Sequence, residues 1–309
     1  MITKISEKCN RDYTRSSIKF KIVNFPFIFC CFTYFFSSAQ SLKLVGKYCD
    51  LQTGDLARLC YVKETLAVLT HSPNQLAVEK SSNTLYFSFD FGQGEYIPGI
   101  LNISTKKLTV LKGPKDAFAI AINDTSREVY FGGSYGVYKY NPIEKSLKQL
   151  LVPDLDVWWL FVKNNMLYFI KFPTLYAYCY HNRTVRSVER LKTSSIQQFV
   201  VDEGNNIFFI NSSGLYGVKN ESENITMLRS DTKFLGMTID NKGDVFASAD
   251  DGIYIVDRIV AKVKKVVNIP GVLGLTFDKN NHLIYSDSHE ITRLVAVSSN
   301  TYNDINSIK

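Results

Sequence analysis

The chain has 309 residues, of which 45% are hydrophobic and 13% aromatic, which is enough apolar material for one large closed fold. Its formal net charge is +7, but residues 1–39 contribute +4 of this, leaving 30 basic against 27 acidic side chains in the remainder. Binding of nucleic acid requires a basic stripe or patch, which the sequence does not predict, so we expect no nucleic-acid partner.

The first 39 residues have the layout of a secretory signal peptide. A basic region leads into the apolar-rich residues 22–36, and the small residues Ser37, Ser38 and Ala39 follow. This pattern predicts cleavage after Ala39. The apolar run is short for a membrane span, which needs about 20 residues. We therefore expect a secreted chain of residues 40–309 without stable membrane insertion, and the alternative is a retained N-terminal anchor.

Cleavage at this position would leave three of the six cysteines in the mature chain. Cys49 and Cys60 flank the turn-like residues 52–55 (Gln-Thr-Gly-Asp). In an oxidising compartment the sequence therefore predicts a disulfide between Cys49 and Cys60. Cys179 lies in a tyrosine-rich stretch, and we expect it to be a buried strand thiol rather than a nucleophile.

From residue 75 onwards, one motif recurs about every 38 residues. Each copy has an apolar stretch that ends in a polar residue, then a turn, a second apolar stretch and a Gly-Φ-Tyr step. A fixed period of this size indicates a repeat architecture. The polar end residues of the six copies are Glu79, Asn123, Lys163, Asp202, Asp240 and Asp278.

Within each repeat, apolar residues alternate with a spacing of two, which is typical of half-buried strands. Short runs of Val, Ile, Tyr and Phe are separated by Asn, Asp, Gly and Ser turns. Four strands of about 5–6 residues with their turns fill about 40 residues, the size of one propeller blade. The sequence thus predicts an all-β, six-bladed β-propeller over residues 40–309. A solenoid of helix pairs would need a 3.6-residue period instead.

Closure of a propeller ring requires one strand out of chain order. Residues 59–62 (Leu-Cys-Tyr-Val) and 66–69 (Leu-Ala-Val-Leu) precede the first repeat, whereas the chain after Val297 is short and polar. We therefore expect this N-terminal segment to supply the outer strand of the last blade, because the pairing would also cover an exposed sheet edge.

Five of the Asn-x-Ser/Thr sequons that follow the predicted signal peptide lie at predicted turns or strand ends. A secreted chain would present them for glycosylation, and we expect some of them to carry glycans. The acceptor residues are Asn102, Asn123, Asn182, Asn211 and Asn224.

In a propeller, the innermost strands converge on a central channel, and their first residues lie at one of its mouths. Here these positions carry aromatic and amide side chains. Both tryptophans of the chain are adjacent there, and strand alternation directs one toward the channel and the other between blades. Apolar walls with a few polar groups suit a planar small molecule. The predicted binding residues are Asn74, Gln75, Phe118, Trp158, Trp159, Gln197 and Gln198.

Sequence motifs for catalysis are absent: there is no nucleophile elbow, no His-Glu-x-x-His, no Cys-x-x-Cys and no phosphate-binding glycine loop. We therefore predict no catalytic residue, no metal site and no cofactor. One alternative is a calcium-dependent lactonase or arylesterase that uses oxygens of Asn74, Asp116 and Asp156. Another is a propeller that recognises a protein through one broad face.

Several repeats resemble those of insect ommochrome-binding proteins, and the resemblance covers roughly residues 45–297. It implies a secreted, non-catalytic carrier in lepidopteran haemolymph that binds a small planar hydrophobic ligand, an ommochrome-like pigment. We also expect the protein to be a monomer. No binding-residue motif transfers with the resemblance, so the site prediction rests on propeller geometry. The matching segments are residues 72–78, 83–88, 118–123, 129–141, 211–216, 251–254, 274–278 and 284–287.

Overall fold

The computed structural model describes residues 48–49, 60–92, 94–150, 156–192, 195–257 and 262–297. The predicted signal peptide, residues 1–39, lies outside the described residues. Within the described chain, the secondary structure consists of 25 short strands and one 3₁₀ helix at Glu189–Leu191.

The strands form six antiparallel sheets, each of which is one blade. The chain begins with β1 (Tyr48–Cys49) and β2 (Cys60–Val68). Blade 1 contains β3 (Pro73–Glu79), β4 (Thr84–Asp90), β5 (Tyr96–Asn102) and β6 (Leu108–Val110). Blade 2 contains β7 (Ala117–Asn123), β8 (Glu128–Gly133), β9 (Gly136–Asn141) and β10 (Ser146–Gln149). Blade 3 contains β11 (Asp156–Lys163), β12 (Met166–Phe172), β13 (Tyr176–His181) and β14 (Thr184–Ser187).

The remaining blades follow the same order from the innermost strand outwards. Blade 4 contains β15 (Gln198–Val201), β16 (Ile207–Asn211), β17 (Gly214–Val218) and β18 (Ile225–Arg229). Blade 5 contains β19 (Phe234–Ile239), β20 (Val245–Ala249), β21 (Gly252–Asp257) and β22 (Lys262–Val267). Blade 6 contains β23 (Gly274–Phe277), β24 (Leu283–Ser286) and β25 (Glu290–Val297), to which β2 and β1 are added.

The six blades form a closed ring, which confirms the predicted six-bladed propeller. The innermost strands β3, β7, β11, β15, β19 and β23 contact one another in sequence, and β23 contacts β3. Strand β2 pairs antiparallel with β25, from Cys60 opposite Val297 to Val68 opposite Glu290. The predicted closure by an N-terminal strand is therefore also confirmed. The sequence did not predict β1, which pairs on the outer side of β2 as a fifth strand.

The hydrophobic core lies between neighbouring blades. The facing side chains of blades 3, 4 and 5 form one apolar cluster in which Phe199, Val200 and Phe209 are almost fully buried. Phe209 also stacks on Tyr216 of the next strand, with ring centroids 5.0 Å apart. Burial of each large apolar side chain contributes about 1.5–3 kcal/mol, so the contacts between blades stabilise the ring.

In five of the six blades, the polar residue that ends the repeat motif caps the turn after the innermost strand, and the exception is Lys163 of blade 3. Asp240 Oδ1 accepts hydrogen bonds from the backbone N–H groups of Lys242 at 2.9 Å and Asp244 at 2.8 Å. Asp278 makes the same two contacts with its own turn. These carboxylates satisfy turn amides that would otherwise lack a partner. The 38-residue period therefore reflects a capped turn that recurs in five of the six blades.

The same residues connect neighbouring blades. We call the face at which the innermost strands begin the upper face, and the face at which they end the lower face. At the lower face, Asn281 Nδ2 donates to Asp240 Oδ2 at 2.9 Å, and Asn123 Nδ2 donates to Asn165 Oδ1 at 2.9 Å. In blade 3 the end residue is Lys163, whose ammonium group donates to a backbone carbonyl of blade 4. Hydrogen bonds between side chains thus join several blades at this face.

Candidate functional site

The predicted binding residues lie at the upper ends of the innermost strands, and several of these strands are bulged there. The register with the second strand shifts between Ala117 and Ala119 in β7, and between Val157 and Trp159 in β11. A bulge re-aims the side chain of the extra residue, which here is an aromatic residue in both blades. Similar shifts occur in β3 and β19.

The bulge in β11 separates the two tryptophans. The Trp158 side chain is 46% exposed, whereas Trp159 is 7% exposed and its indole N–H donates to the carbonyl of Phe199 at 2.8 Å. Alternation predicted one tryptophan in the channel and the other between blades. Instead, Trp159 both packs against blade 4 and lines the channel, and Trp158 lies at the upper face.

Five of the seven predicted binding residues line one cavity, which we call the upper chamber. It is the upper end of the central channel and has a volume of about 170 Å³. Residues 235–237 and 273–275 complete its apolar wall. The five predicted residues in it are Asn74, Gln75, Phe118, Trp159 and Gln198.

The amide side chains in the upper chamber differ in whether they already form hydrogen bonds to other residues of the protein. Gln198 Nε2 donates to the Leu235 carbonyl and its Oε1 accepts from the Met237 N–H, both at 2.9 Å. Gln198 therefore joins β15 to the bulged strand β19 and is mainly structural. Gln75 is only 9% exposed, and its amide has no hydrogen-bond partner among the residues that the structure describes. This amide is therefore free to bond to a molecule in the chamber, and Gln75 is the amide best placed to meet a ligand.

The two other predicted polar residues contribute less. Asn74 lines the upper chamber, but its Nδ2 already donates to the Ser72 carbonyl at 3.3 Å. Gln197 is exposed and does not line the chamber. Only one of the two predicted glutamines therefore lines the chamber, because alternation along β15 places only Gln198 inward.

A second cavity of about 280 Å³, which we call the upper pocket, adjoins the chamber and shares the side chain of Phe118 with it. Aromatic rings from three blades form a row here. Phe118 contacts Tyr96 edge-on, with centroids 4.9 Å apart, and lies 6.2 Å from Trp158. Trp158 in turn stacks on Phe172 at 4.6 Å with an interplanar angle of 17°. This aromatic row gives the upper face its exposed planar surfaces.

Two carboxylates also line the upper pocket. Asp116 accepts hydrogen bonds from the hydroxyl of Ser134 and, at 3.3 Å, from the backbone N–H of Tyr96. Burial raises the pKa of the Asp156 carboxyl, the Trp158 indole opposes this shift, and the negative charge of Asp116 raises that pKa further. The two acids are therefore close enough to repel each other electrostatically.

Sequence reasoning did not assign Tyr96 or Phe172 to the site. Tyr96 begins the third strand of blade 1, and Phe172 ends the second strand of blade 3. Both strand ends lie at the upper face because successive strands of a blade run in opposite directions. The prediction considered only innermost strands, and the local sequence has no signal that brings these outer positions to the pocket.

The lower end of the channel opens into a larger cavity of about 500 Å³, the lower chamber. Its wall consists largely of apolar residues of the innermost strands, and its rim is charged. Lys80 and Asp124 form an ion pair on this rim, with Nζ and Oδ2 3.2 Å apart. Leu76, Trp159 and Met237 line both chambers and so separate them.

The three oxygens of the alternative calcium-site prediction do not come together in one cavity. Asp116 and Asp156 line the upper pocket, whereas Asn74 lines the upper chamber. Across the described ranges, no group of three or more His, Cys, Asp and Glu side chains is placed to hold a metal ion. Nor does the described part of the chain contain a helix of the length and apolarity that a membrane span requires.

The predicted modification sites differ in accessibility. Asn182 and Asn224 are exposed, and Asn102 and Asn211 are half-buried. Asn123 is only 6% exposed and its amide is hydrogen-bonded on both sides, so glycosylation at this position would conflict with the fold.

The three cysteines after residue 39 lie in two different blades. The backbones of Cys49 and Cys60 face each other directly in the β1–β2 ladder, and their side chains lie outside the described part of the structure. Antiparallel strands bring directly opposite residues within the Cα separation that a disulfide requires. Cys179 is an unpaired thiol in β13 and is half-buried rather than buried, contrary to the sequence expectation.

The fold and the cavities together define a class: a six-bladed β-propeller with ligand-sized cavities along and beside its axis. Solved structures with this fold include a gluconolactonase from Xanthomonas campestris, with a TM-score of 0.66 and 11% identity, covering 82% of this chain and 96% of that chain. The calcium-binding protein regucalcin from Agrobacterium tumefaciens is also similar, with a TM-score of 0.59 and 11% identity, covering 77% and 95%. At these identities the likeness establishes the fold alone.

No protein-family profile matches the chain. An ommochrome-binding protein from Manduca sexta is 30% identical over 241 residues, which cover 76% of this chain and 88% of the relative. The chain therefore belongs to the ommochrome-binding protein family, as the resemblance of the repeats indicated.

Proposed function

We propose that this protein is a secreted, non-catalytic carrier that binds an ommochrome-type pigment at the upper mouth of its channel. The Manduca sexta relative is named for binding this class of pigment. The observation that carries the proposal is the aromatic row of Tyr96, Phe118, Trp158 and Phe172 at the upper face. Exposed aromatic rings arranged beside a cavity suit a planar, multi-ring ligand.

The two upper cavities are large enough for a planar, multi-ring ligand only when they are taken together. Ligand cavities for small molecules have volumes of about 300–1,000 Å³. Neither the upper chamber, at about 170 Å³, nor the upper pocket, at about 280 Å³, reaches this range alone. They share the Phe118 side chain, so one planar ligand placed across this ring would occupy both.

The polar groups of the upper chamber would orient the ligand. Gln75 offers an amide that can donate to a ring carbonyl or accept from an amine. Because no described side chain uses this amide, a ligand with a polar group at this position could bond to it. The rings of Phe118 and Trp158 would stack on the ligand and exclude water from this contact.

Titration of the secreted protein with xanthommatin, followed by tryptophan fluorescence, tests the proposal. We expect quenching in the wild type, and loss of most of the quenching in Trp158→Phe if this exposed indole contacts the ligand. Phe118→Leu should weaken binding at least about tenfold. The matched control is Phe161→Leu, because Phe161 lines the lower chamber instead.

Two results would overturn the proposal. If Phe161→Leu weakens pigment binding and Phe118→Leu has no effect, the ligand binds in the lower chamber instead. Absence of quenching, together with no pigment eluting with the protein in gel filtration, would exclude pigment binding. A calcium-dependent turnover of lactones or aryl esters that a chelator abolishes would instead support the hydrolase alternative.

The proposal includes secretion, with signal cleavage after Ala39, a monomeric state and a Cys49–Cys60 disulfide. Mass spectrometry of the secreted protein, before and after enzymatic removal of N-glycans and with thiol alkylation, checks these points. We expect a mature chain that begins at Gln40, glycans on exposed sequons such as Asn182 and Asn224, and Cys179 as the alkylated thiol. Light scattering checks the monomeric state.

A further inference from the structure

The upper pocket combines aromatic walls with an uncompensated negative charge. Its lining residues include Asp116 and Asp156, together with Tyr96, Phe118 and Trp158. None of the described residues that line it is basic. The electrostatic environment of Asp156 contains the charge of Asp116 but no cationic side chain. Among the described residues, the two acids therefore have no cationic partner in this pocket.

The backbone holds Asp116 firmly in this position. Its φ angle is +47°, a left-handed conformation that costs energy for a residue other than glycine. Gly133 lies against it so closely that a Cβ atom at residue 133 would be 1.6 Å from the Asp116 carbonyl oxygen. The carboxylate is further fixed by the Ser134 hydroxyl. The negative charge is therefore presented to the pocket by a rigid support rather than by a mobile side chain.

A cation would satisfy two features of the pocket at once. It would relieve the repulsion between Asp116 and Asp156, since an opposite charge within about 4–6 Å favours the ionised form of a carboxylate. It would also interact with the face of an aromatic ring, for which tryptophan is the strongest partner. Trp158 is exposed in this pocket and bordered by Phe118 and Phe172.

The upper chamber indicates the chemistry of the other end of the ligand. On the other side of Phe118, the nearly buried amide of Gln75 has no partner within the described part of the chain. An amide is neutral and suits a carbonyl or a neutral amine. The two cavities thus offer different chemistry at the two ends of one planar molecule.

We propose that the upper pocket selects planar aromatic ligands that carry a positive charge, with Asp116 and Asp156 pairing with the cationic group while the rings stack on Trp158 and Phe118. This inference rests on the proposed function for the location of the ring site. It adds the charge of the ligand and its orientation: the cationic end lies in the upper pocket, and a neutral polar group faces Gln75.

Three phenoxazine dyes that differ in charge provide the test: Nile blue is cationic, Nile red is neutral and resorufin is anionic. Fluorescence anisotropy gives the affinity of each dye for the wild type and for three variants. Asp156→Asn and Asp116→Asn each remove one charge from the pocket, and asparagine tolerates the positive φ of residue 116. Asp124→Asn is the matched control, because Asp124 follows the opposite end of the same strand, β7, at the lower rim.

We expect the wild type to bind Nile blue at least about tenfold more tightly than Nile red, and resorufin most weakly. Each variant of the pocket should weaken Nile blue about tenfold and change Nile red less than about twofold. Added salt should weaken only the cationic dye, because partly exposed ion pairs are screened. Asp124→Asn should leave all three affinities unchanged.

Equal affinities for Nile blue and Nile red, or Nile blue binding that neither pocket variant weakens, would overturn the charge selectivity while leaving pigment binding intact. Tighter binding of resorufin than of Nile blue would also overturn it. If Nile blue binds in the expected charge-dependent way but xanthommatin does not bind, the selectivity stands and the pigment-carrier function fails. If no dye and no pigment binds, both proposals fail.

Discussion

Glu79, the end residue of the first repeat, allows the contribution of one capped turn to be measured. Its side chain is almost fully buried and accepts hydrogen bonds from the Ser82 N–H at 2.9 Å and from both Ser81 and Ser82 hydroxyls. The guanidinium of Arg127, from blade 2, lies 3.3 Å from both carboxylate oxygens. Burial by itself would raise the pKa of Glu79, but the hydrogen bonds from Ser81, Ser82 and Arg127 outweigh it and lower the pKa from 4.5 to about 2.

This shift predicts both a magnitude and a pH range. One pKa unit corresponds to about 1.4 kcal/mol, so the ionised form of Glu79 contributes about 3 kcal/mol to the free energy of unfolding. Because the folded-state pKa is the lower one, the contribution is complete above pH 4.5 and is lost as the pH falls toward about 2. At pH 3 about 2 kcal/mol of it should already be lost.

Urea unfolding of the wild type and of Glu79→Gln at pH 7, 5, 4 and 3 measures this contribution. We expect Glu79→Gln to be less stable by about 3 kcal/mol at pH 7, and the difference should narrow steadily below pH 4.5. Glu144→Gln is the control, since Glu144 is exposed and accepts only the Ser146 hydroxyl. A difference that stays constant between pH 7 and pH 3 would refute the assignment of the stabilisation to the ionised carboxylate.

Three further substitutions test other contacts of the innermost strands. Trp159→Phe leaves the buried carbonyl of Phe199 without its donor and should cost about 1–3 kcal/mol in thermal or urea unfolding. Gln198→Leu removes the acceptor of the Met237 N–H, so hydrogen exchange at this amide should accelerate and stability should fall by a similar amount. Gly133→Ala places a methyl group 1.6 Å from a backbone oxygen and should cost about 3 kcal/mol or more.

Each of these predictions has a control at a residue of the same type. Trp158→Phe changes an exposed indole and should alter stability by less than about 0.5 kcal/mol, as should Gln197→Leu. Gly204→Ala meets only the Asn206 and Asp202 side chains at 3.0 Å or more, so it should be far milder than Gly133→Ala. If a control costs as much as its partner, the named contact is not the cause of the loss.

The periodic features of the fold were predictable from the sequence because they are local. A polar end residue caps a turn only a few positions away, as Asp240 does, and the spacing of such turns is visible along the chain. Closure by β2 was predictable since an unpaired apolar segment at one end of the chain matched a missing strand at the other.

The candidate site was only partly predictable, because its details depend on contacts between blades. The bulge that turns Trp158 to the surface leaves no mark in the alternation of β11. The role of Gln198 depends on strand β19 of the next blade, which lies nearly forty residues further along the chain. Tyr96 enters the pocket only because blades 1 and 2 are neighbours in the ring.

The pairing of β2 with β25 has a consequence for biosynthesis. Strand β2 leaves the ribosome before any blade exists, yet its partner β25 is translated only after all the other blades. Joining two segments this far apart costs about 5 kcal/mol of loop entropy if the intervening blades are unfolded, but far less once they have stacked. Ring closure should therefore follow blade assembly, and a nascent chain that stops before residue 290 would keep an open sheet edge for chaperones to recognise.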